Sequence, residues 1–219
     1  MNNHLSKYLT DPDPVLREWV KIRIGRTDQR YEVIEGTIDY IPGENIFVEK
    51  VDISGEDLTE IHQKIIYCKY FRCEYNNLTS LPELPYCKEL DCHTNNLTSL
   101  PELPVCEELY CSSNNLTSLP KLPICRNLHC YYNQLKSLPE LPVCVDLFCF
   151  NNKLTSLPEL PVCEELNCSN NLNLKSLPEL PYCKRLDCWG NYLKELPDLS
   201  SEVIIDWTNN PGHLSGKNQ

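Results

Sequence analysis

Along most of the chain, apolar side chains recur at fixed offsets, and the whole pattern repeats about every 19 residues. The unit beginning at Cys106 reads Cys106-Glu-Glu-Leu109-Tyr-Cys111-Ser-Ser-Asn114-Asn-Leu116, then Thr-Ser-Leu119-Pro120-Lys-Leu122-Pro123-Ile124. In it Leu109, Tyr110 and Cys111 alternate inward, outward, inward, which predicts a short strand. The Leu-Pro-x-Leu-Pro segment that follows is incompatible with a helix. Proline lacks the amide donor and biases its predecessor toward extended geometry. It predicts a polyproline-like return on a convex side, with both leucines pointing inward. Each unit is too small to bury its own apolar positions, so the units must stack and pair their strands into a parallel sheet. At a strand spacing of about 4.8 Å, eight gaps give a stack roughly 38 Å long.

Cysteine marks the repeat. The first members of seven pairs are Cys68, Cys87, Cys106, Cys125, Cys144, Cys163 and Cys183, each followed five positions later by a second cysteine. The intervals are 19 except the last, which is 20, so one extra residue lies within residues 169–173 and predicts a local bulge. Val48, Val51, Ile53, Glu56 and Leu58 fit the same template before the first pair, and Ile205, Trp207 and Asn210 fit it after the last. The solenoid is therefore expected over residues 48–210 in about nine coils, with degenerate terminal coils. Residues 1–47 do not repeat and read as an N-terminal cap, a short helix near residues 15–20 plus strands. Residues 211–219 read as a tail.

With leucine in place of each cysteine, the first eleven positions become L-x-x-L-x-L-x-x-N-x-L, the leucine-rich-repeat signature. The chain resembles short leucine-rich-repeat proteins with L-P-x-L-P segments, as in the repeat region of bacterial type III effectors. Its cysteine-for-leucine version resembles leucine-rich-repeat proteins of giant, mimivirus-type viruses. The resemblance implies a leucine-rich-repeat solenoid with a curved parallel β-sheet on its concave face. It also implies a hydrogen-bonded ladder for the column Asn76, Asn95, Asn114, Asn133, Asn152, Asn171, Asn191 and Asn210.

Charge narrows the function. With 31 acidic and 20 basic side chains the net charge is −11, a poor match for nucleic acid. No apolar run is long enough for a transmembrane helix, and the first residues lack the apolar core of a signal peptide. A cytoplasmic location follows as the expectation, with virion association open. Glu83, Glu102, Lys121, Glu140, Glu159, Glu179 and Asp198 form a nearly unbroken acidic column on the convex side.

The 14 cysteines admit several readings. A zinc site needs four converging ligands, whereas solenoid columns run in parallel. Adjacent coils bring cysteines near enough for disulfides but direct the side chains poorly. Equivalent buried thiols offer no individually activated nucleophile. The favoured reading is a small apolar side chain that suits tight coils. No phosphate loop, metalloprotease motif or paired-acid motif appears, so neither an enzyme nor a cofactor is expected.

What varies between units is the outward strand face. Its central position runs Asp52, Arg72, Asp91, Tyr110, His129, Phe148, Asn167, Asp187, Asp206. The position after the second cysteine adds Tyr131, Phe150 and Trp189, and the next adds Tyr132. Tyr110, His129, Tyr131, Tyr132, Phe148, Phe150 and Trp189 are the candidate protein-binding residues, since clustered aromatics on a rigid surface have the composition of a hot spot. The alternative is that neighbouring rings only brace the sheet. Flanking acids favour a basic partner, host proteins included, and the binder is expected to be a monomer. The competing readings are a substrate receptor of a ubiquitin-ligase-type complex that docks through residues 1–47, and an orphan repeat with no specific partner.

Overall fold

The computed structural model describes residues 47–61 and 67–214. The expected N-terminal cap lies outside the described residues, except for Phe47, which opens the first strand. The strands are β1 (Phe47–Asp52), β2 (Tyr67–Arg72), β3 (Glu89–Asp91), β4 (Glu108–Tyr110), β5 (Asn127–His129), β6 (Asp146–Phe148), β7 (Glu165–Asn167), β8 (Arg185–Asp187) and β9 (Ile204–Asp206). They form one nine-stranded parallel sheet in chain order. Among the described residues no helix is long and apolar enough to cross a membrane.

The register follows the repeat. Leu90, Leu109, Leu128, Leu147 and Leu166 pair in sequence and are wholly buried. Both cysteine columns lie beside them, and all fourteen thiols are free and buried. The assigned strand sits one residue earlier than the Leu-x-Cys step suggested. Ladder bonds nevertheless continue through the second cysteine, as where Cys111 N donates to His129 O at 2.8 Å. On the return segment Leu103 is fully buried and Leu100 packs partly buried against the same core. The second proline begins the turn back to the strand, and Cys106 N donates to Leu103 O at 3.3 Å across it.

The asparagine column joins each coil to the one before it. Asn114 Nδ2 donates to Cys92 O at 3.0 Å and to Cys111 O at 3.2 Å, while its Oδ1 accepts from Leu97 N at 2.9 Å. One buried amide thus bonds backbone groups of two coils; Cys92 O and Cys111 O are shared with Asn95 and Asn133, while the Leu97 amide depends on Asn114 alone and would otherwise cost about 1–3 kcal/mol. The residue ahead of each asparagine is left-handed, at φ 54° for Tyr75, Thr94 and Ser113, 52° for Tyr132, 53° for Asn151, 54° for Asn170, 66° for Gly190 and 57° for Asn209. That twist turns the chain inward and aims the asparagine into the core. The sequence hint was a column holding one glycine and three asparagines, the residues that accept this region most readily.

The extra residue of the sixth cysteine unit forms a turn at Leu172 and Asn173. Leu174 N donates to Asn171 O at 2.8 Å, and Leu172 is pushed outward to 70% exposure. At the start of the expected tail, Pro211–Leu214 forms a single helical turn, α1. Gly212 N donates to Leu193 O at 2.9 Å. A Cβ at Gly212 would lie 2.1 Å from Lys194 O, so α1 docks this closely only through glycine.

Candidate functional site

The outer face of the sheet carries the candidate residues because strand alternation sends them away from the leucine and cysteine columns. Tyr110, His129 and Phe148 occupy one register line across β4, β5 and β6. The His129 ring meets Tyr110 edge-on at 4.9 Å and Phe148 at 4.6 Å. Two residues along, Tyr131 and Phe150 stack with centroids 4.4 Å apart. Tyr132 stands edge-on to both, at 5.8 Å and 5.5 Å. His129 and Tyr131, 6.3 Å apart, join the two groups into one cluster. Six of the seven candidates therefore come together. Most are half-buried by one another, and Tyr132 is the most exposed at 55%.

Trp189 stands apart from these rings. The intervening coil presents Asn167 and Ser169, which supply no aromatic bridge, and Ser169 is itself buried. A smaller aromatic contact lies toward the N-terminal coils, where Tyr75 meets His93 edge-on at 4.7 Å and His93 Nδ1 lies 2.6 Å from Asp91 Oδ1.

A row of acids borders the cluster. Glu89, Glu108, Asn127, Asp146 and Glu165 follow one another in register, so Glu89 faces Glu108 and Asp146 faces Glu165. Like charges directly opposite one another cost stability. The ends of the row are neutralised, by Arg72 to Glu89 at 3.0 Å and by Arg185 to Glu165 at 3.3 Å. Near the centre, Glu108 accepts a 2.7 Å bond from Tyr110 Oη, and Asp146 forms no ion pair among the described residues. Burial raises the Asp146 pKa from its ordinary value, with Glu165 and Glu164 adding to the shift. Burial lowers the His129 pKa against the pull of Asp146, Asp91, Glu165 and Glu108. Burial, then the bond to Glu108, raises that of Tyr110.

The cysteines play a different part. Burial raises the thiol pKa in both columns, as at Cys92, Cys111 and Cys149, and to about 12 at Cys125 and Cys163. In the first column the sulfur also reaches a carbonyl, as Cys106 Sγ to Glu108 O at 3.2 Å and Cys125 Sγ to Asn127 O at 3.3 Å. A thiol there fills the coil and donates a weak hydrogen bond, which leucine cannot do. Among the described residues no group of three or more His, Cys, Asp or Glu side chains is placed to hold a metal ion.

Stacked 19-residue coils, an in-register parallel sheet and an asparagine ladder define a leucine-rich-repeat solenoid, here with an aromatic cluster on its sheet. Solved structures share the fold. The leucine-rich effector protein YopM from Yersinia pestis superposes with a TM-score of 0.61 and 28% identity, over 71% of this chain and 53% of that one. YopM from Yersinia enterocolitica gives a TM-score of 0.61 and 32% identity, over 74% of this chain and 42% of that one. The chain spans about half the length of these proteins. It matches no protein-family model and no curated protein sequence.

Proposed function

We propose that this protein is a non-enzymatic interaction module that holds a protein partner on the concave face of its solenoid. The observation that carries the reading is the contiguous set of six rings at Tyr110, His129, Tyr131, Tyr132, Phe148 and Phe150. Rigid aromatics held by adjacent coils supply contact area at little cost in side-chain entropy. The likeness to YopM, an effector protein, supports a role exercised through a partner. The bordering acids favour a basic partner and would speed its encounter. The resemblance to giant-virus repeat proteins points to a host protein met in the cytoplasm, or to a virion component, with the module acting as a monomer. Trp189 forms an outlying contact at the far side of the same face.

The test replaces Phe148→Asp together with Phe150→Asp and compares affinity capture by the wild-type and doubly substituted proteins, read by mass spectrometry. Both side chains point away from the core, so the far-ultraviolet spectrum and melting transition are expected to persist while captured partners disappear. An unchanged partner set would overturn the assignment.

A further inference from the structure

The acid row beside the rings draws its own counter-ions from the protein, and they are arginines. Arg72 Nη2 reaches Glu89 Oε1 at 3.0 Å from β2, and Arg185 Nη1 reaches Glu165 Oε1 at 3.3 Å from β8. Lysines pair at the preceding chain position instead, where Lys88 meets Glu107 and Lys184 meets Glu164. Between the two arginines the row is open at β6. Asp146 stands opposite Glu165 in register, about one strand spacing of 4.8 Å away, and forms no ion pair among the described residues.

Phe148 lies two residues beyond Asp146 on the same face. His129 covers one side of its ring at 4.6 Å and is its one ring contact among the described residues. On the other side, Asn167 of β7 stands in register with Phe148. Asn167 is short, and its amide is turned to other neighbours. Its Nδ2 donates to Asp187 Oδ2 at 3.2 Å, and its Oδ1 accepts from Ser169 N at 3.2 Å. Asp146, Glu165, Phe148 and Asn167 thus frame a patch one strand spacing wide and two residues long, roughly 4.8 by 6.6 Å. One side of it is two carboxylates, and a ring with no aromatic neighbour toward β7 borders the next.

We propose that this patch receives an arginine side chain of the protein partner, whose guanidinium bridges Asp146 and Glu165 and lies flat against Phe148. The inference rests on the concave-face reading above and names the group that the face recognises. A guanidinium is planar, carries five donors in a fixed fork and is weakly hydrated, so its edge can bond carboxylates while its face covers a ring. The bridge also offsets the repulsion between two carboxylates that the sheet holds opposite one another. Arg185 is a weak competitor, because it reaches Glu165 through one nitrogen in an exposed pair.

Two other occupants fit less well. A lysine ammonium meets the charge but offers no flat face to Phe148. A metal ion needs further ligands, and no group of three or more His, Cys, Asp or Glu side chains is placed to hold one among the described residues.

The probes are three end-blocked peptides, acetyl-Gly-Arg-Gly-amide and its lysine and citrulline counterparts. Each is titrated into the isotope-labelled whole chain at about 0.15 M salt and followed by NMR. The arginine peptide is expected to shift the Asp146, Phe148 and Glu165 signals saturably, with a Kd of about 1–10 mM. The lysine peptide should bind about threefold more weakly or worse, and the neutral citrulline peptide should not bind. Asp146→Asn should weaken arginine binding about fivefold or more, and Phe148→Leu should abolish the preference for arginine over lysine. Equal binding of the arginine and lysine peptides, undiminished binding to Asp146→Asn, or no saturable shift would each overturn the inference. Partner capture by the Phe148→Asp, Phe150→Asp variant reads the concave-face proposal separately. Lost capture without arginine-selective binding overturns this inference and leaves that proposal standing. Arginine-selective binding with unchanged capture keeps the arginine site and overturns the concave-face proposal.

Discussion

The rings of Tyr131 and Phe150 lie face to face, 4.4 Å apart and 6° from parallel, on neighbouring coils. Strand pairing sets this distance, since in-register side chains on adjacent parallel strands stand about 4.8 Å apart. The pair should therefore contribute to stability as well as offering a surface. A double-mutant cycle with Tyr131→Ser and Phe150→Ser is expected to give a coupling of about 0.5–1.5 kcal/mol in chemical denaturation. A coupling near zero would show that the stack contributes nothing to folding.

Thr94 holds a left-handed backbone, at φ 54°, with a β-branched side chain. Non-glycine residues pay about 1–2 kcal/mol for that region, and asparagine pays less. Thr94→Asn should stabilise the protein by about 1 kcal/mol, visible as a higher denaturation midpoint with an unchanged slope. Asn151 and Asn170 already use this solution in the same column.

Asn133 is 3% exposed and donates to Cys111 O and Cys130 O while accepting from Leu116 N. Asn133→Ala leaves the buried Leu116 amide unpaired, while Cys111 O and Cys130 O keep Asn114 and Asn152, and should cost about 1–3 kcal/mol. The exposed Asn77, outside the ladder, is the control. Its replacement by alanine is expected to shift the midpoint by less than about 0.5 kcal/mol.

Burial raises the thiol pKa above 9.0 for Cys92, Cys111, Cys130, Cys149 and Cys168, and to about 12 for Cys125 and Cys163. The stability these groups contribute is fully present below the unfolded thiol pKa. It is lost as pH rises from there toward 12, because unfolded thiols ionise first. Melting temperature should be nearly flat from about pH 7 to 8 and fall steeply above about pH 9. Alkylation at neutral pH should leave all fourteen thiols intact until the chain is unfolded, and then modify all fourteen. Fewer than fourteen after unfolding without reductant would mean that some are oxidised.

Asp146 has its pKa raised by burial and by Glu165 and Glu164. Its ionised form is therefore disfavoured in the fold, a penalty present at neutral pH and absent below the unfolded pKa near 3.8. Asp146→Asn should raise the melting temperature at pH 7, and that advantage should vanish near pH 3.5. If Asp146 helps to attract a basic partner, the same substitution slows association at low salt.

The solenoid could be read from the chain because a period of 19 leaves each column one physical task. Leu109 and Cys111 had to point inward together, and Asn114 had to occupy the turn. The left-handed column was harder to see, since Tyr75, Thr94 and Tyr132 disguise a position where glycine or asparagine would have announced it. Residue type groups Trp189 with the cluster, but Asn167 and Ser169 separate it from Phe148 and Phe150 in space. The exposure of Ile205 could be read only from its place in the last coil counted, because Ile205 itself fits the repeat as well as any leucine. Its exposure depends on what lies beyond it, which no local pattern records.

Every asparagine of the ladder binds the coil before it through the same side-chain atoms at nearly the same distances, although Asn191, after the inserted residue, accepts from Asn171 N in place of a leucine amide. A coil therefore carries both halves of a standard joint. Removing or duplicating a whole unit brings together two surfaces that already fit, whereas a partial unit breaks the joint on both sides. Recombination between the near-identical repeats in the gene can thus lengthen or shorten the molecule in single-coil steps without a folding penalty at the seam. Each step shifts the spacing of the outward residues by one strand. Evolution can tune the reach of the outward face separately from the stability of the scaffold beneath it.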